Sequence, residues 1–197
     1  PFVLSFRRLS SMNIYQIFTR LYGNPKHTNV PDGTYAENGC AKFNHFTAER
    51  LNRIRKYGFS HVWFTGVIEH ATQTDYSAQG IAADHPWVVK GKAGSPYAIK
   101  DYFDVDPDLA ESVPDRMAEF EALLQRVHAA GLKFVLDFVP NHVARQYASD
   151  AAPQGQRDLG ADDDSEMAFS VRNNFYYCWG EPLHTDNFVE PTATGYP

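Results

Sequence analysis

The amino-acid sequence predicts an α/β fold built on a parallel sheet, and three observations lead to this prediction. Short, nearly continuous apolar segments at residues 12–22, 60–68 and 132–139 are rich in β-branched and aromatic side chains, which is typical of strands. Segments with helical spacing of apolar residues separate them. The alternation of strands and helices predicts right-handed βαβ crossovers, and therefore parallel strands.

The first helix is predicted after Thr47, because threonine is a frequent N-terminal cap. Leu51, Ile54 and Tyr57 follow at helical spacing, and Gly58 is a typical residue just past a helix end. The pattern thus predicts one helix between the first two strands.

The second helix is predicted over residues 114–131, where proline suits the first turn and glycine the end. One face of this helix is apolar, formed by Phe120, Leu123, Leu124 and Val127. Residues 23–46 and 69–113 show no strong periodicity, so we predict two long loops there. Long loops at one edge of a parallel sheet are usually functional.

Composition bounds the class of protein. The 197 residues are 43% hydrophobic, which suits a single globular unit, and the formal net charge of −6 disfavours a nucleic-acid partner. Cys40 and Cys178 match no metal-binding spacing, so two free thiols are predicted rather than a disulfide. No segment has the length and order of a signal peptide or a membrane span, and the compartment stays open.

Polar residues interrupt and end the third predicted strand. A strand covered on both faces is almost wholly apolar, and an unpaired carboxylate inside one costs on the order of several kcal/mol. Asp137 therefore needs a structural reason, and Asn141 and His142 follow where the strand ends. Parallel sheets carry their chemistry at the carboxyl ends of their strands, so we expect a functional site there.

Four segments together resemble the α-amylase family of glycoside hydrolases. "NIYQIFTRLYGN" (13–24) and "GFSHVWFTGV" (58–67) resemble the first two barrel strands of that family. "GSPYAIKDYFDVDPDLA" (94–110) resembles the segment before its second helix, and "LDFVPNH" (136–142) its conserved motif at the end of the third strand. The resemblance covers residues 12–145 well and the remaining tail poorly.

The resemblance implies an eight-stranded (β/α) TIM barrel from which a smaller irregular domain, domain B, protrudes after the third strand. On that mapping, residues 1–142 form the N-terminal part of the catalytic barrel with its first three strands. Residues 143–197 form the start of domain B. The chain is then expected to hold an incomplete barrel that needs its missing C-terminal half.

The resemblance also implies roles for individual residues. Asp137 is a structural carboxylate beneath the active site, and Asp101 is a structural residue that ties its loop. His142 donates hydrogen bonds to hydroxyls of the sugar at the cleavage point, and the ring of Tyr97 stacks on that sugar. The competing interpretations are an Asp tolerated at a wet strand end, an ordinary surface His and a core Tyr beside Pro96.

Calcium is a possible cofactor, because Asn141 matches a family calcium ligand. Calcium needs six to eight oxygen ligands, and the region after the third strand offers Asp162, Asp163, Asp164 and Glu166, although a run of acids is usually only solvated. A second oxygen-rich group contains Asn24, Asn29 and Asp32, for which turn formation is the favoured interpretation.

The implied activity is retaining hydrolysis of α-glucosidic bonds in α-glucans or oligosaccharides, by two carboxylates about 5–5.5 Å apart. The family nucleophile follows a Gly-x-Arg-x-Asp pattern, and the nearest string here, "GQRDLG", has Asp158 directly after Arg157. We therefore expect the chain to lack nucleophile and general acid, and to be inactive alone. Ser95 replaces a His of many relatives, as in some branches acting on oligosaccharides.

Three other functions compete with hydrolysis. One is a non-catalytic amylase-like binding module, and another is a transglycosylase or isomerase on the same scaffold. A phosphate-binding α/β enzyme is disfavoured, because no glycine-rich loop follows any predicted strand.

Overall fold

Residues 12–180 are described by the computed structural model, and they form two small sheets packed with three α-helices. The strands are β1 (Ile14–Phe18), β2 (His61–Thr65), β3 (Ile68–His70), β4 (Ile99–Val105) and β5 (Lys133–Leu136). The helices are α1 (Tyr35–Asn38), α2 (Ala48–Lys56) and α3 (Arg116–Ala129), and short 3-10 turns join the elements.

The predicted parallel sheet is present, with the strand order β1-β2-β5. Ile17 lies opposite Phe64 in the β1–β2 pair, and Phe64 lies opposite Leu136 in the β2–β5 pair. Each strand is shorter than its apolar segment. The three carboxyl ends therefore lie side by side at one edge of the sheet.

The prediction of an unstructured loop over residues 69–113 is wrong in part. β3 and β4 pair there as an antiparallel ribbon with an irregular register. Their sequences carry Glu69, His70, Asp101 and Asp104, all of which are buried. Charged residues are depleted in strands, so the sequence pattern indicated a loop, and the ribbon depends on tertiary partners for these side chains.

Both predicted helices of the crossovers are confirmed. The Thr47 side chain accepts the Arg50 N–H at 3.4 Å and caps α2, whose Leu51 and Ile54 are buried. Tyr57, assigned to the same apolar face, instead ends the helix and lies exposed. In α3, Leu123 and Val127 are buried, while Pro114 lies in the 3-10 turn that precedes the helix.

An aromatic core fills the space between the parallel sheet and the helices. The Phe64 ring stacks on Phe134 with centroids 4.5 Å apart, and Phe46 meets Phe64 edge to face at 5.2 Å. Fully buried aromatic rings contribute most of the apolar area of such a core. This packing holds β2 against β5 and against the segment that precedes α2.

β5 differs from the fully covered strand that its sequence predicts. Phe134 and Val135 are only half-buried, and Leu136 is 41% exposed. Within residues 12–180, no strand pairs with the outer edge of β1 or of β5. The sheet therefore has two open edges, and one of them presents apolar side chains.

Residues 143–180 contain turns and no helix or strand. The boundary predicted between 142 and 143 stays a prediction, and residues 181–197 of the predicted domain B segment lie outside the described residues. Cys40 is buried, Cys178 is exposed and both are free, as predicted. Across the described residues, no helix combines the length and apolar character needed to cross a bilayer.

Candidate functional site

Tyr97 lies at the carboxyl ends of β1 and β2. The residue is 44% exposed and lines a cavity of about 390 Å³ together with Gln16, Phe18, Thr65 and Pro96. The Gln16 amide donates a hydrogen bond to the Thr65 hydroxyl at 3.0 Å. An exposed aromatic face next to a pair of hydrogen-bonding side chains suits a ligand with both C–H faces and hydroxyls.

The loop that carries Tyr97 is held by Arg20, which follows β1. The Arg20 guanidinium donates to the backbone oxygens of Ala93 at 2.9 Å and Gly94 at 3.0 Å. Thr19, just before it, donates its hydroxyl proton to the Thr65 oxygen at 2.8 Å and joins the ends of β1 and β2. The Tyr97 loop is thereby fixed against the end of the sheet.

His142 and Asn141 lie at the same edge of the sheet, beyond β5. Both line a second cavity, of about 620 Å³, whose other lining residues include Tyr102, Phe138, Arg145 and Tyr176. The Asn141 Nδ2 atom lies 3.0 Å from His142 Nδ1, and both side chains are exposed. The structure thus brings these two predicted residues together, whereas Tyr97 lines a different cavity.

Tyr102 of β4 positions the turn that carries His142. Its hydroxyl donates to the backbone oxygen of Val139 and lies 3.4 Å from that of His142. Burial raises the pKa of the Tyr102 hydroxyl, so it stays a neutral donor. The backbone N–H of Ala144 then donates to the Ile99 oxygen at 2.7 Å, which continues the attachment along β4.

The two predicted supporting carboxylates have different surroundings. Asp101 is fully buried, and its oxygens accept the N–H groups of Phe103 at 2.7 Å and of Asp150 and Ala151 at 3.0 Å each. Asp137 is half-buried directly after β5, and its backbone N–H donates to the Phe64 oxygen at 3.2 Å. Asp137 therefore extends the β2–β5 ladder through its backbone.

The surroundings of Asn141 offer little to a calcium ion. The described lining of its cavity contains no carboxylate, so none of the four acids at 162–166 joins it there. Asp163 instead accepts the N–H groups of Asn174 and Phe175 at 2.8 and 2.9 Å and holds its own loop. A site that needs several hard oxygens does not fit this cavity as it stands.

The remaining candidates serve the backbone. Asn24 accepts the Lys26 N–H at 3.1 Å, and Asp32 adopts the left-handed region at φ 51°, both of which are features of turns. Asp158 accepts the Ser149 N–H at 2.9 Å.

Sequence reasoning missed Gln16, Thr65 and Tyr102. Gln16 is a polar residue within an apolar strand, which is the same signal that singled out Asp137. A cavity of about 1170 Å³, larger than either cavity at the sheet edge, lies elsewhere, between residues 23–29 and α2. This α2 groove is lined by Asn24 and Asn29 of the second oxygen-rich group, and its described lining contains none of the predicted sugar-site residues.

The chain is similar in sequence to proteins of known family. A sequence profile described as the catalytic domain of alpha-amylase matches residues 45–193, well over half of the chain. The amino acid transporter heavy chain SLC3A1 of Rattus norvegicus is 32% identical over 95 residues, covering 48% of this chain and 11% of that protein. A cyclomaltodextrin glucanotransferase of Niallia circulans is 28% identical over 151 residues, covering 71% of this chain and 19% of that enzyme.

Maltase A1 of Drosophila melanogaster is 26% identical over 132 residues, covering 67% of this chain and 17% of that protein. Among solved structures, an alpha-amylase from Lactobacillus plantarum has 29% identity and a TM-score of 0.46, covering 68% of this chain and 24% of that one. The chain thus spans a fifth or less of the length of these curated relatives.

Proposed function

The chain belongs to the α-amylase family, and from this premise we propose that it binds α-linked glucans or oligosaccharides along the carboxyl-terminal edge of its parallel sheet. Tyr97 and His142 are the proposed sugar contacts, with Asp137 and Asp101 as structural support. The supporting observation is that both contact residues are exposed, line cavities and follow the same sheet edge.

Tyr97 is proposed as the stacking platform. Glucose presents axial C–H groups on its faces, and an exposed aromatic ring binds such a face by dispersion and desolvation. Gln16 and Thr65 line the same cavity and offer an amide and a hydroxyl to the sugar hydroxyls. These contacts account for one glucosyl residue.

His142 is proposed as the hydrogen-bonding contact. A neutral imidazole donates to a hydroxyl through one nitrogen and accepts through the other. The neighbouring aromatic side chains, Tyr102, Phe138 and Tyr176, give its cavity apolar walls for sugar faces. Tyr97 and His142 line separate cavities. We therefore propose that a ligand that contacts both residues is an oligosaccharide and not a single sugar.

The proposed activity of the whole protein is retaining cleavage or transfer of α-linked glucosyl units. That chemistry needs two carboxylates about 5–5.5 Å apart. The 197 residues contain no Gly-x-Arg-x-Asp pattern, so we propose that the nucleophile and the acid come from other parts of the protein. The chain alone is then a binding platform without hydrolytic activity.

The open edge of β5 supports the proposal that further barrel strands pack there. Leu136 and Phe138 are exposed at this edge, and both are large apolar side chains. A barrel removes such edges by closing on itself. We therefore propose that the first three strands of a (β/α) barrel are present and that the rest of the barrel covers them.

A second candidate is an amylase-like module without catalysis. Its specific support is the 32% identity to a protein named as an amino acid transporter heavy chain. A transferase remains a further candidate, because other relatives are named cyclomaltodextrin glucanotransferase. Incubation of the complete protein with maltoheptaose distinguishes these three functions. A hydrolase yields glucose or short products, a transferase yields longer or cyclic products, and a binding module yields no products.

Calorimetric titration of the chain with maltoheptaose tests the binding proposal. We expect Tyr97→Ala and His142→Ala each to weaken binding at least about tenfold, as is common when a stacking or hydrogen-bonding contact is removed. Tyr57→Ala and His128→Ala are matched controls, because both residues are exposed and lie on the helices, and they should bind as the parent does.

Cellohexaose, a β-linked glucan, serves as the ligand control and should bind less tightly. The site assignment is wrong if the two site variants bind maltoheptaose as tightly as the parent. It is also wrong if neither the parent nor any variant binds maltoheptaose.

A further inference from the structure

Three carboxylates from separate parts of the chain converge outside the proposed sugar site. Glu69 comes from β3, Asp101 from β4 and Asp150 from the segment after β5. One carboxylate oxygen of each lies within 4.8 Å of the other two. Glu69 and Asp101 are buried, whereas Asp150 is exposed and leaves one side of the cluster open to water.

Glu69 has no partner of its own. The residue is 1% exposed, and both of its carboxylate oxygens are buried without a hydrogen bond to any described residue. Burying an unpaired carboxylate is unfavourable by several kcal/mol, so the group must hold a proton or face a cation. Burial, followed by the charges of Asp150, Asp104 and Asp101, raises the pKa of Glu69 to about 9.

The other two carboxylates are fixed by the backbone and retain free lone pairs. The oxygens of Asp101 accept three N–H groups, two of them from the segment that carries Asp150. These bonds hold Asp150 next to β4. A carboxylate has about four lone-pair sites, so Asp101 has capacity for one more partner.

Local charge also favours a cation. Four carboxylates, those of Glu69, Asp101, Asp104 and Asp150, lie in this region, and Arg116 is the guanidinium that contacts two of them. Its Nε donates to Asp104 at 2.7 Å, while its contact with Asp150 is longer, at 3.4 Å. The nearby Lys100 is engaged by Asp84 at 3.1 Å. The cluster therefore keeps an excess of negative charge.

We propose that Glu69, Asp101 and Asp150 bind one divalent cation, and that this ion is calcium. All three ligands are hard oxygens, which calcium prefers. Ligands on opposite sides of a calcium ion lie about 5 Å apart, so oxygens within 4.8 Å of one another fit around one ion. Water enters from the exposed side of Asp150 and completes the coordination. The ion joins β3 and β4 to the segment after β5.

This site differs from the one predicted at Asn141. None of its three ligands lines the cavity of Asn141 and His142, and binding here does not require a sugar. Loss of the proposed sugar binding would therefore leave this inference intact.

Calorimetric titration of calcium chloride into the chain, first freed of metal with EDTA, tests the proposal. We expect one ion per chain, a higher melting temperature with calcium, and affinity reduced at least about tenfold by Glu69→Gln and by Asp150→Asn. Asp162→Asn is the matched control, because Asp162 is also an exposed Asp beside an arginine, at 2.9 Å from Arg157. Asn141→Ala should bind calcium as the parent does.

Several outcomes would overturn the proposal. They are no binding of calcium by the parent, binding that both cluster variants leave unchanged, and loss of binding only in Asn141→Ala. Tighter binding of magnesium than of calcium would overturn the choice of ion. Asp150 is exposed, so its variant keeps the test decisive if Glu69→Gln fails to fold.

Discussion

Pro96 packs directly on Gly66, the residue that follows β2. A β-carbon placed on Gly66 would lie 2.9 Å from the β-carbon of Pro96, closer than real β-carbons approach other atoms. Gly66 also has φ 79°, which side chains other than glycine rarely adopt. Tyr97 directly follows Pro96 in the chain. Its position thus depends on the absence of a side chain at Gly66.

Gly66→Ala should therefore damage both stability and sugar binding. We expect unfolding free energy to fall by about 1–3 kcal/mol from backbone strain and the contact with Pro96, and maltoheptaose binding to weaken as Tyr97 shifts. Gly58→Ala is the matched control, since Gly58 has φ 94° and open space around it. Urea unfolding and calorimetry measure both effects, and equal losses in the two variants would refute the role of the Pro96 contact.

Stability should depend strongly on Arg116, because its ion pair with Asp104 is largely buried. It is mostly buried and neutralises the buried Asp104, so Arg116→Gln leaves that carboxylate unpaired and should cost about 3–5 kcal/mol. Arg53→Gln breaks an exposed pair with Glu49 and should cost less than about 1 kcal/mol. Urea unfolding in EDTA measures the unfolding free energy of both variants. Similar losses of stability in the two would contradict the structural role of the Arg116–Asp104 pair.

Glu69 should make stability depend on pH when no divalent cation is present. Its folded pKa of about 9 lies above the ordinary 4.5, so the folded state holds a proton that the unfolded state loses between these values. Stability should fall as pH rises through this window. The charged groups that face Glu69 are Lys100, Asp101, Asp104, Arg116 and Asp150.

Melting temperatures in EDTA at pH 5 and pH 8 measure this effect. Glu69→Gln should match the parent at pH 5 and exceed it at pH 8, because glutamine has no proton to lose. Glu49→Gln, at an exposed position on α2, should show no such difference. A Glu69→Gln effect of the same size at both pH values would show that Glu69 does not titrate in this range.

The open edge of β5 should make the chain self-associate. Leu136 is 41% exposed on that edge, and unpaired apolar strand edges are sites of aggregation. Leu136→Lys should lower the association measured by sedimentation velocity over a concentration series. Met117→Lys, at a residue 38% exposed on α3, is the control and should leave association unchanged. A parent that is monomeric at every concentration would contradict this prediction.

The parallel sheet could be predicted from the sequence because β1, β2 and β5 are apolar and alternate with segments of helical spacing. The β3–β4 ribbon could not, because it buries Glu69 and Asp101, and the partners that make such burial possible come from distant segments. The Asp150 and Ala151 N–H groups that bind Asp101 lie 49 and 50 residues away along the chain. Hydrophobic periodicity is a local property of the sequence and does not predict contacts between such distant segments.

The predicted site was located in part. The sequence placed Asn141 and His142 after a strand end, and the structure has them there, because strand ends can be recognised from where an apolar run stops. Their separation from the cavity of Tyr97 could not be foreseen. It depends on two anchors, the Pro96–Gly66 contact and the Tyr102 hydroxyl, that bring together residues far apart in sequence.

The most direct test of the central claim is a two-dimensional NMR titration of the isotopically labelled chain with maltoheptaose. Sugar binding along the carboxyl-terminal edge predicts shifts at the backbone amides of Gln16, Thr65, Tyr97 and His142, and unchanged amides in the α2 groove. Shifts confined to the larger α2 groove, or none at the four edge residues, would contradict it.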